Sequence, residues 1–239
     1  MKRLKVTHYL QDPGCCAIAS SATVANYYNA EIDYESTKKV ATEKVDKEAL
    51  EEGLASEETC VLLNKLGFYK VTFVTSDLDL FDYTWEGFGR KKMIQVLQTS
   101  VATKKDKEDK RRTRKIIKWL KNYDYDNNLV ISYDFGKYIR QHLNKKKPVL
   151  LSFNWTMFQK FAKDDEDSKP DPYNGDPICH QVAANGYDEK GLWIVDSHHQ
   201  YYKYKRKKYR RGFYKISWEN LMTCMGQGDV ILPEECYIE

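Results

Sequence analysis

Apolar positions between residues 15 and 66 recur at helical spacing, and Ser56 stands as an N-cap before EETCVLLNKL, a run that Gly67 stops. YKVTFVT (69–75) follows. The periodicity then predicts helices near 89–101 and 107–122, and another in DFGKYIRQHLNKKK (134–147), capped by Asp134 and leading into the apolar run PVLLSF (148–153). From residue 179 the pattern changes. HQVAANGY, GLWIVDS, YYKYK and GFYKIS are short alternating runs separated by DEKG and KRKKYRR, the mark of an antiparallel meander. A helical half of about 1–147 and a sheet half of about 148–239 together predict an α+β fold in a single domain spanning 1–239. KKDKEDKRRTRK (104–115) and KDDEDSKPDPYNGDP (163–177) read as surface insertions rather than framework.

In LQDPGCCAIASSATVANYYN, the turn Asp12-Pro13-Gly14 precedes a run of small residues suited to a tightly packed helix, so cysteine falls at the helix start. The free N–H groups and dipole there favour an anion, which lowers a thiol's pKa and supplies the thiolate that nucleophilic catalysis needs. Gln11 lies just upstream across the turn, where its amide can join the cysteine backbone N–H as an oxyanion donor. Cys15 and Cys16 are both available, and either also reads as a small apolar filler.

Downstream, His180 begins one strand and Asp196 ends the next, with DEKG (188–191) as the turn between them. Two hairpin strands bring their outer ends together, so this pair can hydrogen-bond. A carboxylate on one imidazole nitrogen fixes the tautomer and leaves the other nitrogen to face a thiol. Without the cysteine helix, a strand-end histidine and a turn aspartate would be the plainer account. Both halves occur in one chain.

The chain order of Gln, helix-start Cys, distant His and Asp resembles the papain-like cysteine peptidases. CAIASSATVANYYN (16–29) is similar to the cysteine helix of the bacteriocin, or double-glycine, leader-peptidase group, and HQVAANGYDEKGLWIVDS to its His-to-Asp hairpin. EGLASEETCVLLNKLGF and IRQHLNKKKPVLLSF are similar to its intervening helix and pre-histidine strand. The resemblance implies a papain-like fold, with a nucleophile helix packed on an antiparallel sheet from the C-terminal half. It also implies roles: Cys16 as nucleophile with Cys15 as the alternative, His180 as general base, Asp196 as its orienter and Gln11 as oxyanion donor. The activity implied is that of a cysteine peptidase or related amide hydrolase on a peptide or protein substrate.

Charge and composition add limits. The excess of 39 Lys+Arg over 35 Asp+Glu is only +4, too small to imply nucleic acid. No apolar run is long enough to span a bilayer and no signal-peptide pattern opens the chain, which predicts a cytoplasmic protein whose six cysteines are reduced thiols. Neither a cofactor nor a metal is expected: adjacent His198 and His199 on a strand would point to opposite faces. The hairpin 203–215 carries eight Lys/Arg and no acid, a surface for an acidic partner or a protected sheet edge. Two other functions compete with hydrolysis. YYKYKRKKYRRGFYKISWENLM (201–222) loosely resembles the phytochelatin-synthase relatives of papain, which implies acyl transfer, and a non-catalytic binding module could use the hairpin alone.

Overall fold

The computed structural model describes residues 3–160, 162–163, 169–198 and 212–236. In chain order its elements are α1 (Cys16–Tyr28), α2 (Tyr34–Lys44), α3 (Ser56–Lys65), β1 (Phe68–Thr75), α4 (Arg90–Thr103), α5 (Lys107–Leu120), β2 (Asn128–Ile131) and α6 (Phe135–Asn144). There follow β3 (Val149–Asn154), α7 (Trp155–Gln159), β4 (Cys179–Asp188), β5 (Gly191–Val195), β6 (Phe213–Ser217), α8 (Trp218–Cys224) and β7 (Asp229–Cys236). Asp134 caps α6 by accepting the Lys137 N–H at 3.0 Å. Ser56 is not the cap of α3 but its first residue. Ala55 takes the cap position, its N–H held by Glu58 at 2.9 Å, and the Ser56 hydroxyl bonds Asp229.

The described strands form one sheet in the order β2-β1-β7-β3-β4-β5-β6, antiparallel except for the parallel pair β1 and β2. The class is α+β. The sheet draws on both halves of the chain, since β1 and β2 come from the stretch expected to be helical. Alternation gives it two apolar faces. Phe73, Ile231, Leu150, Ala183 and Val195 form one buried row, packed in the same core as Ile18, Ala22, Leu62, Leu97 and Ile116 from the helices α1 and α3 to α5. Val74, Val230, Leu151 and Val182 face the other way, into the core of Phe135, Ile139 and Leu143 of α6 and Leu221 of α8.

The segment 104–115 is framework, not an insertion. It carries most of α5, whose Thr113, Ile116, Trp119 and Leu120 are buried. Two of its cations are tied into the fold: Arg112 meets Glu57 at 3.1 Å and Asp77 at 3.2 Å, and Lys115 meets Glu58. Residues 164–168 of the acidic stretch and 203–211 of the basic hairpin, with the run YYKYK (201–205), lie outside the described residues. Among the described residues no helix is long and apolar enough to cross a membrane.

Candidate active site

Cys16 is the first residue of α1, and Cys15 occupies the cap position. The small residues Ala17, Ala19, Ser20 and Ala22 that follow are buried, which lets α1 lie close against the sheet. Gly14, at φ +75°, makes the turn, and the Cys15 N–H closes it on the Asp12 carbonyl at 3.1 Å. Asp12 is pinned in turn by Lys38 at 2.7 Å and by the Tyr34 hydroxyl, which accepts the Asp12 N–H at 2.9 Å.

The two thiols face different surroundings. Cys15 is buried and directs its Sγ to the Leu50 carbonyl at 3.7 Å; burial pushes its pKa up. Cys16 is partly exposed and hydrogen-bonds His180. Burial of the sulfur would raise its pKa, but the His180 bond and charge, with the N–H groups of Gln181 and Ala17, outweigh it and hold the thiol below its usual value.

His180, the second residue of β4, donates from Nε2 to Asp196 Oδ1 at 2.9 Å, which leaves Nδ1 for Cys16. Burial would lower the imidazole's pKa; the Asp196 charge and hydrogen bond, joined by Cys16, raise it to about 10. Asp196 is fully buried just past β5. Burial would push its pKa up, yet His180, the His198 N–H at 2.9 Å and the Tyr214 hydroxyl at 2.9 Å keep it below the usual carboxylate value. Its backbone is fixed as well. The N–H donates to the Gly212 carbonyl at 2.9 Å and the carbonyl accepts His8 Nε2 at 2.7 Å.

Gln11 comes to the same corner. Its N–H bonds the Ser197 carbonyl at 3.0 Å, and the Ser197 hydroxyl donates to its Oε1 at 2.8 Å. With the amide oxygen occupied, Nε2 is the group left to donate. All four predicted residues are thus tied to one another or to immediate neighbours.

Sequence reasoning missed Trp155, Tyr214, Ser197 and Gly212. The Trp155 ring lies 4.4 Å from the His180 ring, centroid to centroid. Gly212 has φ +72°, and any Cβ there would run into the Asp196 carbonyl and the His8 ring. Tyr214 has a usable signal in the alternation of GFYKIS, although the sequence places YYKYK, not GFYKIS, next after GLWIVDS; in the sheet β6 pairs directly with β5 and its inward Tyr214 meets Asp196. His198 was considered only as a metal ligand; here its backbone N–H serves Asp196.

The arrangement places a partly exposed, acidified thiol beside a basic imidazole oriented by a buried carboxylate, as thiol acyl-transfer chemistry requires. A family model described as "Peptidase_C39 like family" matches residues 3–224. The chain belongs to that family, and it is a papain-like cysteine peptidase. No curated protein matches the sequence. Three solved structures are similar over nearly the whole chain. One is a double glycine motif protease from an AMS/PCAT transporter in complex with the leader peptide, at 13% identity, TM-score 0.43, covering 97% of this chain and 94% of that one. Another is the peptidase domain of Streptococcus ComA, a bi-functional ABC transporter of a quorum-sensing pathway, at 12% identity, TM-score 0.43, covering 97% and 99%. The third is described as a C39-like peptidase from Bacillus anthracis, at 13% identity, TM-score 0.41, covering 99% and 100%.

Proposed function

We propose that this protein hydrolyses peptide bonds with Cys16 as nucleophile, His180 as proton carrier, Asp196 as its orienter and Gln11 as oxyanion donor. The Cys16 thiolate attacks the scissile carbonyl carbon, and the carbonyl oxygen takes up negative charge facing Gln11 Nε2 and the Cys16 backbone N–H. Protonated His180 gives its Nδ1 proton to the departing amine, which leaves as the C–N bond breaks and a thioester remains. Water then adds to the thioester, His180 takes one of its protons, and the C–S bond breaks to release the carboxylic acid, which gives its remaining proton to solvent, and to restore the thiolate–imidazolium pair. One observation carries this reading. His180 is held to Asp196 by the 2.9 Å bond from its Nε2, and the imidazole and the Cys16 thiol act on each other so that the thiol's pKa falls while the imidazole's rises.

Cys15 does not suit the nucleophile's role, because it faces Leu50 and burial raises its pKa. The test is intact-mass analysis after treatment with a peptidyl chloromethyl ketone. A single rapid adduct is expected on wild type and on Cys15→Ser, and none on Cys16→Ser. Labelling that survives in Cys16→Ser and disappears in Cys15→Ser would transfer the role, and slow, equal labelling of all six thiols would remove it.

A further inference from the structure

The sheet face that packs on α1 and α3 to α5 changes character one row beyond its apolar centre. After Phe73, Ile231, Leu150 and Ala183 the next row across β1, β7, β3 and β4 is Thr75, Asp229, Ser152 and Gln181, in direct register. Cross-strand partners share a face, so these four polar side chains lie side by side under the first turn of α3. Two residues beyond Val195 on β5, Ser197 continues the row to Gln11. Polar groups buried this deeply are normally fully paired. Here two are not. Asp229 is 7% exposed and its Oδ1 has no hydrogen-bond partner among the described residues; Gln181 is 3% exposed and its Nε2 has none either.

The remaining atoms of both groups are committed. Gln181 Oε1 accepts the Thr59 hydroxyl at 3.1 Å, and Asp229 is bonded by Ser56 and Thr75. Between them stands Ser152, which remains partly exposed although its strand is interior to the sheet and its neighbours Leu151 and Phe153 are buried. Ser152 is thus the point at which the row comes nearest the surface, with Asp229 Oδ1 and Gln181 Nε2 covered on either side of it. The row also adjoins the nucleophile: the Gln181 N–H bonds Cys16, and exposed Cys179, two residues earlier on the same face, lies within electrostatic range of both Cys16 and Asp229.

We propose that this row is a specificity subsite in which Gln181 Nε2 and Asp229 Oδ1, flanking Ser152, receive the carboxamide side chain of a substrate asparagine or glutamine. The assignment rests on Cys16 being the nucleophile. Strands two apart are separated by about 10 Å, and the side chain that stands between the two groups is the small Ser152. A carboxamide offers an acceptor to the Gln181 N–H and a donor to the Asp229 oxygen. An apolar side chain would leave both unmade. A lysine would satisfy Asp229 but confront the Gln181 N–H, and a carboxylate would meet Asp229 with Asp77 and Glu57 close behind it, where Arg112 is already shared by those two acids.

Peptide binding to Cys16→Ala protein tests the subsite without chemistry. Acetylated alanine-based hexapeptides carrying glutamine, leucine or lysine at each position in turn are titrated by NMR. At one position glutamine should bind at least about tenfold tighter than leucine or lysine, as sites built to hydrogen-bond a polar group discriminate against its isosteres. Adding Asp229→Asn or Gln181→Leu should reduce that preference to about threefold or less. The absence of a glutamine preference at every position overturns the subsite, as does a preference that survives both substitutions or a preference for lysine at the Asp229-sensitive position. The comparison of peptides on Cys16→Ala protein decides the matter alone if a further variant fails to fold. The rate of Cys16 alkylation by N-ethylmaleimide in wild-type protein reads the nucleophile separately, so loss of that reading and loss of the subsite give different results.

Discussion

Replacing Asp196 tests how the site divides its work between charge and hydrogen bonding. A unit charge pair at the 2.9 Å separation of His180 Nε2 and Asp196 Oδ1 is worth about 4–6 kcal/mol at an effective dielectric of about 20. The rise of the imidazole from 6.5 to about 10 corresponds to about 5 kcal/mol at about 1.4 kcal/mol per pH unit. The rise is what remains after burial has pulled the other way, and the carboxylate's charge is the largest of the raising causes, ahead of its hydrogen bond and of Cys16. Asp196→Asn removes that charge and keeps an oxygen that accepts the Nε2–H bond. The imidazole then returns toward its ordinary range, and the alkaline limb of kcat/KM, set by loss of the His180 proton as pH rises, should move down by about two units or more. Activity should persist near neutral pH and be lost by about pH 9, where the wild type still works.

Asp196→Ala removes the acceptor as well. It strands the His180 N–H in a buried site, at about 1–3 kcal/mol for a group left unpaired. Denaturant melts should therefore show Ala well below Asn in stability, and turnover should be lower across the whole pH range. The measurement is a pH profile of kcat/KM on one peptide substrate, with urea melts of the same proteins. An alkaline limb in Asp196→Asn that coincides with wild type would refute the charge argument and leave Asp196 as a ring-orienting acceptor only.

Gln11→Ala should lower kcat by about a hundredfold to a thousandfold, as loss of one oxyanion donor does, while Cys16 alkylation by N-ethylmaleimide stays at the wild-type rate; loss of both would mean that Gln11 acts through the fold. Gly212→Ala should destabilise by about 1–3 kcal/mol from the left-handed backbone alone, plus the displacement of Asp196, read as a lower urea midpoint; a wild-type melt would contradict the close approach. Burial raises Asp229 to about 7. A raised folded-state pKa means stability fully present below the unfolded value near 4 and lost as pH rises through about 7, up to about 4 kcal/mol in all. Wild type should accordingly lose melting temperature between pH 5 and 8 relative to Asp229→Asn, and parallel curves would refute it.

The helices and hairpin strands legible in the sequence are those whose apolar period runs long enough to declare itself. α4, α5 and α6 are visible as helical faces, β3 as a continuous apolar run and β4 to β6 as short alternating runs. β2 is only four residues, and β7 breaks its apolar run with Pro233 and two glutamates, so neither announces a strand that pairs in the sheet. The charged segment of α5 read as an insertion because its Lys and Arg outnumber its apolar residues. Its acidic partners Glu57, Glu58 and Asp77 lie some 30 to 60 residues away and meet it only in the fold.

The site shows the same boundary between local and distant information. Cys16 declares itself because a turn, a helix start and small residues occur within a few positions, and His180 with Asp196 because one hairpin relates them. Tyr214, Trp155 and Gly212 act on that pair from other elements, and of the three only Tyr214, inward on an alternating run, carries any local mark. The polar row is the extreme case. Thr75, Asp229, Ser152 and Gln181 each look like an ordinary polar interruption in a strand, and only the cross-strand register places them on one face beside the nucleophile. A stability-driven core would continue the apolar row of Phe73, Ile231, Leu150 and Ala183 at those positions, because each buried polar group costs free energy unless it is paired. Four polar residues in that register, two of them with an unmatched buried atom, are therefore better explained by recognition than by folding.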